Sequence, residues 1–442
     1  MRASLLALCL LAIGPSALSD SPRIGGGGTV LLRIGLEKRF AHAQTLLLSS
    51  DTSFIVQDTM TGRPLLHGVP GGVYRVTALP DGLRLIRDLN GAAGALDRAV
   101  PVSALADHDG LLKIARVDSF PPLHGTRIVW NHYRGTLTVR REDDGTLRVI
   151  NTVPLEEYLY GVIPAEIGTH VPMEAMKAQA VAARTYALKN RGKFASEGFD
   201  LDDTTRSEGY DGWDGETAAS NAAVDATRGL VLTWHGTLID APYSTDSGGM
   251  TAVDPASPYL QAVLDAPGPN APDYAADAKY HTWTQTFTPA QLQAALARDP
   301  LTQVDDFASL TLDGFDASGR ITTATVISTD GTTKTVTGTQ LRRILGYDVL
   351  RSTRVTLTIL PDGDYQFRGK GWGHGLGMSQ EGAVAMASPP YRKTYADILR
   401  HYYVGTTLAP AASFTSPLPR EGEGPGARAG RGAVATRPRR GA

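Results

Sequence analysis

Cysteine is almost absent. The 442 residues hold one, Cys9. It falls in the first nineteen residues, where Arg2 precedes the apolar run Leu5 to Ile13 and the stretch closes on Ala17-Leu18-Ser19. That is the build of a secretory signal peptide with a small-x-small cleavage site. A lipoprotein site is disfavoured, because Leu8 stands where a small residue is wanted. Loss of the leader leaves a chain with no thiol, which excludes disulfides, a cysteine nucleophile and thiolate zinc. Long apolar runs are missing as well. None beyond the leader approaches the ~18 residues of a membrane-crossing helix, so no transmembrane span is expected. Charge of one sign is also missing, the formal net charge being −2. The tail after Leu408 carries six arginines against two glutamates, which leaves the body mildly acidic. Such a body argues against a nucleic-acid surface and suits a neutral or weakly charged substrate. The ten histidines are scattered, with none paired at i, i+4 or in His-x-Glu. No metal and no cofactor are expected from that spacing. Glycine is plentiful but not periodic and no heptads persist, which excludes collagen and coiled coil.

What is present reads as an α+β, strand-rich protein. Residues 1–19 are the leader, and Gly25 to Gly28 is a linker. Residues 20–125 form a small β-rich accessory domain, with short alternating runs such as Thr29 to Ile34 set between Gly, Pro and Asp-Gly turns. Residues 126–408 form a second, larger domain. It opens on a hairpin, Tyr133 to Val139 and Leu147 to Ile150, turning at Asp143-Asp144-Gly145-Thr146. A short helix follows Val153-Pro154, and a long Ala-rich helix runs from Pro172 to Arg191. Met173, Met176, Ala180, Ala183 and Ala187 give that helix a narrow small-residue face. Residues 228–350 read as strands with one helix, Pro289 to Arg298. Val355 to Ile359 is a strand and residues 395–403 are helical. Residues 409–442, rich in Gly, Pro and Arg, read as a disordered tail.

Three segments carry chemistry. In Gly161-Val162-Ile163-Pro164-Ala165-Glu166-Ile167-Gly168, one carboxylate lies among apolar neighbours. A poorly solvated acid keeps its proton nearer neutrality and can protonate a leaving-group oxygen. The same Glu166 could instead cap or salt-bridge the next helix. In Tyr243-Ser244-Thr245-Asp246-Ser247-Gly248-Gly249, the hydroxyls fit a sugar-binding wall or a polar turn. A serine-protease reading fails, because Phe40-Ala41-His42-Ala43 is a poor histidine motif and no disulfide can form. Gly369 to Ala383 has glycines at every odd position from 369 to 377. It lacks the Gly-Lys-Ser/Thr of a phosphate loop and the βαβ setting of a dinucleotide fold. Its glycines let backbone approach a ligand, free His374 to project and leave Trp372 a face for a sugar ring, or simply make a tight turn.

Together these segments resemble the stage II sporulation protein D and amidase-enhancer LytB family of bacterial cell-wall proteins. The resemblance rests on Val153-Pro154-Leu155-Glu156-Glu157-Tyr158-Leu159-Tyr160-Gly161-Val162, Pro164-Ala165-Glu166, Glu174 to Ala187, Ser244 to Thr251 and Gly371 to Ala383. It runs from about Tyr133 to Gly405. It implies a peptidoglycan lytic transglycosylase that cuts the β-1,4 bond between N-acetylmuramic acid and N-acetylglucosamine in peptide-free strands. Glu166 matches the catalytic Glu of the family. Arg184, Tyr243, Ser247, Trp372, His374, Ser379 and Gln380 are the residues of these motifs expected to line the groove, Arg184 with the alternative of pairing a carboxylate. Some members bind zinc through a Cys and His loop. The matching stretch, Asp200 to Tyr210, has neither residue, so it must be held otherwise. Implied with the family are export to the periplasm or cell-wall space, glycan strands as partner, and the alternative of a non-catalytic protein that assists a cell-wall amidase.

Overall fold

The hairpin forms where alternation demanded it. Thr136–Arg141 pairs antiparallel with Leu147–Pro154, in register Thr136 with Thr152 and Arg141 with Leu147. Leu137, Val139, Leu147 and Val149 turn inward. The turn is held by the Asp144 carboxylate, which accepts from the Thr146 N–H at 2.9 Å and hydroxyl at 2.7 Å. In this computed structural model, residues 29–87, 95–98, 101–107, 110–117 and 128–414 are described. The expected leader with Cys9, the Gly25–Gly28 linker and the expected tail from residue 415 on lie outside them. The tail was expected to be disordered from residue 409, yet its first residues are built into the fold: Thr407–Pro410 pairs antiparallel with Leu230–Trp234 and Ala411 is buried.

The architecture is mixed α+β and strand-rich. The hairpin sits inside a seven-stranded sheet in the order Leu201–Asp202, Leu31–Gly35, Leu147–Pro154, Thr136–Arg141, Val102–Ala106, Phe54–Asp58, Pro64–Gly68. A six-stranded antiparallel sheet accompanies it, centred on Thr45–Ser50 and Tyr74–Leu79. One apolar cluster joins Leu46, Tyr74 and Ile114 to Leu32, Leu137 and Val149, and to Tyr158 and Met176 beyond them. Sheet and core thus cross residue 125, the boundary expected from the sequence.

Eight helices occur among the described residues: α1 Glu37–Phe40, α2 Leu155–Ile167, α3 Met173–Lys189, α4 Ala218–Ala226, α5 Pro289–Leu296, α6 Gly338–Leu345, α7 Gln380–Ala387 and α8 Tyr395–Tyr402. Pro154 and Pro172 stand just ahead of α2 and α3, where a missing N–H costs nothing. The narrow face expected on α3 is too narrow. Ala175, Ala178, Ala182 and Arg184 are buried as well as Met176, Ala180 and Ala183, because α2, α4, α7, α8 and strand Leu230–Trp234 surround the helix. A helix apolar or small on all sides belongs at the centre of a fold.

Residues 282–370 build a further lobe from two three-stranded sheets with their own apolar cluster. One helix was expected between residues 228 and 350; α6 makes a second. Its start is marked by a capping box in which Thr337 accepts from the Gln340 N–H and the Gln340 side chain accepts from Thr337 N–H.

Candidate active site

Glu166 stands on the last turn of α2, after Pro164 and before Gly168 closes the helix on the Pro164 carbonyl. Its side chain is partly buried and partly open. Oε1 accepts from the Gly209 N–H at 2.5 Å. Oε2 faces Nε2 of Gln380, the first residue of α7, at 3.5 Å. Both partners are neutral. Burial raises the Glu166 pKa above the ordinary carboxylate value; the Gly209 N–H, the Gln380 amide and the Lys38 ammonium pull the other way.

The residue before Gly209 carries a second carboxyl. Glu208 is 1% exposed. Its Oε1 accepts from the Tyr243 hydroxyl at 2.8 Å and its Oε2 from Tyr158, on α2, at 3.2 Å. Burial pushes its pKa well above the usual value, and the nearby Glu166 charge adds to the rise. The loop reaches this position because Gly161 leaves room in α2. A Cβ there would meet the Gly212 carbonyl at 2.6 Å and the Tyr210 ring at 2.8 Å. The rest of the loop, which lacks Cys and His, is pinned by an ion pair of Asp200 with Arg33 at 3.1 Å and by the Lys38 N–H on the Asp203 carboxylate at 2.8 Å. Glu208 went unnoticed in the sequence. It sits in a polar loop, and the two tyrosines that bury it lie 50 residues before it and 35 after.

The glycine-rich loop meets the Tyr243 segment through a parallel bridge, Tyr243 beside Met378 and Ser244 beside Ser379. This pairing delivers both Tyr243 and Gln380 to the two glutamates. At Gly375 the backbone has φ +79°, a conformation that favours glycine, and a Cβ would crowd the tip of the Arg320 side chain at 2.0 Å. His374 keeps solvent-accessible surface, and its Nδ1 accepts from the Leu376 N–H at 3.0 Å. The protein packed around the ring, with the Arg342 and Arg320 charges, lowers its pKa to about 4, so it is neutral at neutral pH. Trp372 is partly exposed. Its ring meets Tyr280 edge-on at 4.6 Å, and the Arg351 guanidinium lies 5.7 Å from its centre.

Three expected groove residues are spent inside the fold. Arg184 is fully buried and grips Glu156 through two bonds of 3.0 and 2.7 Å. Ser247 is 1% exposed and donates to Asp265 at 2.5 Å. Ser379, equally buried, accepts from the Gly382 N–H at the start of α7 and from the Ser247 N–H. None of the three offers a free polar group to a sugar. Glu166, Tyr243 and Gln380 come together, and Trp372 and His374 lie on the adjoining loop.

Comparison with known proteins places the chain among relatives. The family model described as stage II sporulation protein matches residues 143–234, which hold Glu166 and Glu208. A model for a domain of unknown function matches residues 270–377. An uncharacterized protein of Brachyspira hyodysenteriae is 33% identical over 285 residues, covering 62% of this chain and 72% of that protein. The stage II sporulation protein D of Bacillus subtilis is 32% identical over 293 residues, covering 60% of this chain and 77% of that one. The amidase enhancer of the same organism is 33% identical over 303 residues, 57% of this chain but 40% of the enhancer. The chain belongs to the stage II sporulation protein D and LytB family.

Proposed function

We propose that the protein is a peptidoglycan lytic transglycosylase with Glu166 as its single acid and base. Glu166 gives its proton to the glycosidic oxygen between N-acetylmuramic acid and N-acetylglucosamine as that bond breaks. The carboxylate then takes the proton of the muramic acid 6-hydroxyl as its oxygen bonds to C1, closing a 1,6-anhydro ring. The attacking hydroxyl belongs to the substrate, so its effective concentration is high. One observation carries the reading: of the two neighbouring carboxyls, only Glu166 is reachable. A standard glycosidase needs two carboxyls on the sugar. Glu208 is 1% exposed with both oxygens held by tyrosines, which supports a mechanism that needs one.

Gln380 positions the acid, Tyr243 holds the neighbouring Glu208, and Trp372 and His374 line the approach. The substrate is a glycan strand in the periplasm or cell-wall space, reached by export. No described helix is long and apolar enough to cross a membrane. The similarity to an amidase enhancer supports a rival reading, a wall-binding protein that assists an amidase without cutting. Glu166→Gln separates them. The wild type is expected to release anhydro-ended sugars from peptide-free glycan, and the variant about 10²- to 10⁴-fold less, the usual worth of general acid catalysis. Wild-type protein that sediments with sacculi and releases nothing would support the rival.

A further inference from the structure

Residues 270–377, matched by a domain of unknown function, contain a groove of about 770 Å³ on one sheet face. That is the size of a small-molecule site. The sheet comprises Thr282–Phe287, Tyr365–Lys370 and Val355–Ile359, with the Tyr365 strand central. Strand alternation sends Tyr365 and Phe367 into the lobe's core and leaves Gln366, Arg368 and Lys370 on the other side. Register then sets Thr284 and Thr356 on either side of Arg368, Thr286 and Thr358 on either side of Gln366, and Thr282 beside Lys370. The result is a surface of hydroxyls, an amide and two cations. A third cation, Arg354, lines the groove with its guanidinium on the Gly248 carbonyl, and Phe315, 52% exposed, closes one side.

No carboxylate lines this groove. The Arg368 Nε donates to the neutral amide of Gln366 at 2.6 Å, and half-exposed Lys370 makes a loose ion pair with Asp273 at 3.6 Å, outside the groove lining. In a chain of net charge −2, this local face is cationic, and the exposed Arg368 on it has only a neutral partner. Threonine hydroxyls and an exposed aromatic ring suit a sugar, whose hydroxyls both donate and accept and whose ring faces are apolar. The strand runs straight into the glycine-rich loop, and ten residues carry it from Lys370 to Gln380 at Glu166.

We propose that this groove binds the glycan strand away from the cleavage point and that Arg368 and Lys370 pair with the free lactyl carboxylate of N-acetylmuramic acid. The assignment rests on the reading that glycan strands are the substrate. It gives the groove a selective role: a peptide on the lactyl group replaces the anion with a neutral amide and removes what the cations recognise.

The test is equilibrium binding, in a Glu166→Gln background so that no cleavage intervenes. Soluble peptide-free glycan strands are compared with N-acetylglucosamine oligomers of matched length, which lack the lactyl group. Replacing both cations (R368Q with K370Q) is expected to weaken binding of the peptide-free strands about tenfold, within the usual worth of charge-assisted hydrogen bonds. It should leave the neutral oligomers unaffected, and R368K with K370R should keep most of the affinity. An equal loss for both glycans, no loss, or no measurable binding by the parent would overturn the proposal. Cleavage is not read here, so a protein that binds selectively but releases no product would retain this inference and lose the catalytic one.

Discussion

Glu166 and Glu208 lie on either side of one peptide N–H and differ in what they can reach. Both pKa values are raised, and the first cause in each is burial. For Glu166 this sets the pH profile. An acid works while protonated, so the rate should fall as pH rises through a pKa above the ordinary ~4.3 of glutamate. Rates on peptide-free glycan between pH 4 and 9 check this; a falling limb centred at or below the ordinary value would contradict it. For Glu208 the consequence is stability. A carboxyl whose folded pKa is raised contributes fully below the unfolded value and loses that contribution as pH rises through the folded pKa. Glu208→Gln titrates no proton there. Its unfolding free energy relative to wild type should therefore improve as pH rises above the ordinary glutamate range in urea titrations. A constant difference would show that Glu208 titrates normally. His374 stands apart, since a pKa lowered to about 4 leaves it uncharged at neutral pH.

The element that matters most is the contact between α2 and the loop carrying Gly209. It depends on Gly161, where the Gly212 carbonyl leaves no room for a methyl group. Gly161→Ala should cost about 1–3 kcal/mol, the usual range for overpacking. It should also lift the Gly209 N–H away from Glu166 and lower kcat more than it raises KM. Denaturant unfolding and steady-state kinetics measure the two effects; an unchanged kcat would separate the loop from the acid. Elements of this kind were legible where local signals suffice. The hairpin announced itself by alternation and Asp-Gly, and α3 by alanine and a leading proline. α6 was missed although Thr337 and Gln340 spell a capping box, because β-branched runs on either side favoured strands. The site divided in the same way. Glu166 was visible as a carboxyl among apolar neighbours. The burial of Arg184, Ser247 and Ser379 was not, because it depends on Glu156, Asp265 and α7 brought in by the fold.

At the scale of the whole molecule, the proposal assigns different roles to two lobes. The sheets and helices around α3 hold one reachable acid. The lobe of residues 282–370 offers a cationic, hydroxyl-lined face. The glycine-rich loop runs between them, bridged to Tyr243 at one end and leaving the groove strand at the other. A polymer that lies across both would be gripped on one lobe and cut on the other, and binding energy gained far from the bond would orient it for reaction. The chemistry at the cut is the central claim, and digestion of peptide-free glycan in ¹⁸O-labelled water tests it most directly. The expected products end in 1,6-anhydro-N-acetylmuramic acid with no ¹⁸O, because the attacking oxygen comes from the sugar. Reducing ends carrying ¹⁸O, or no cleavage at all, would contradict it.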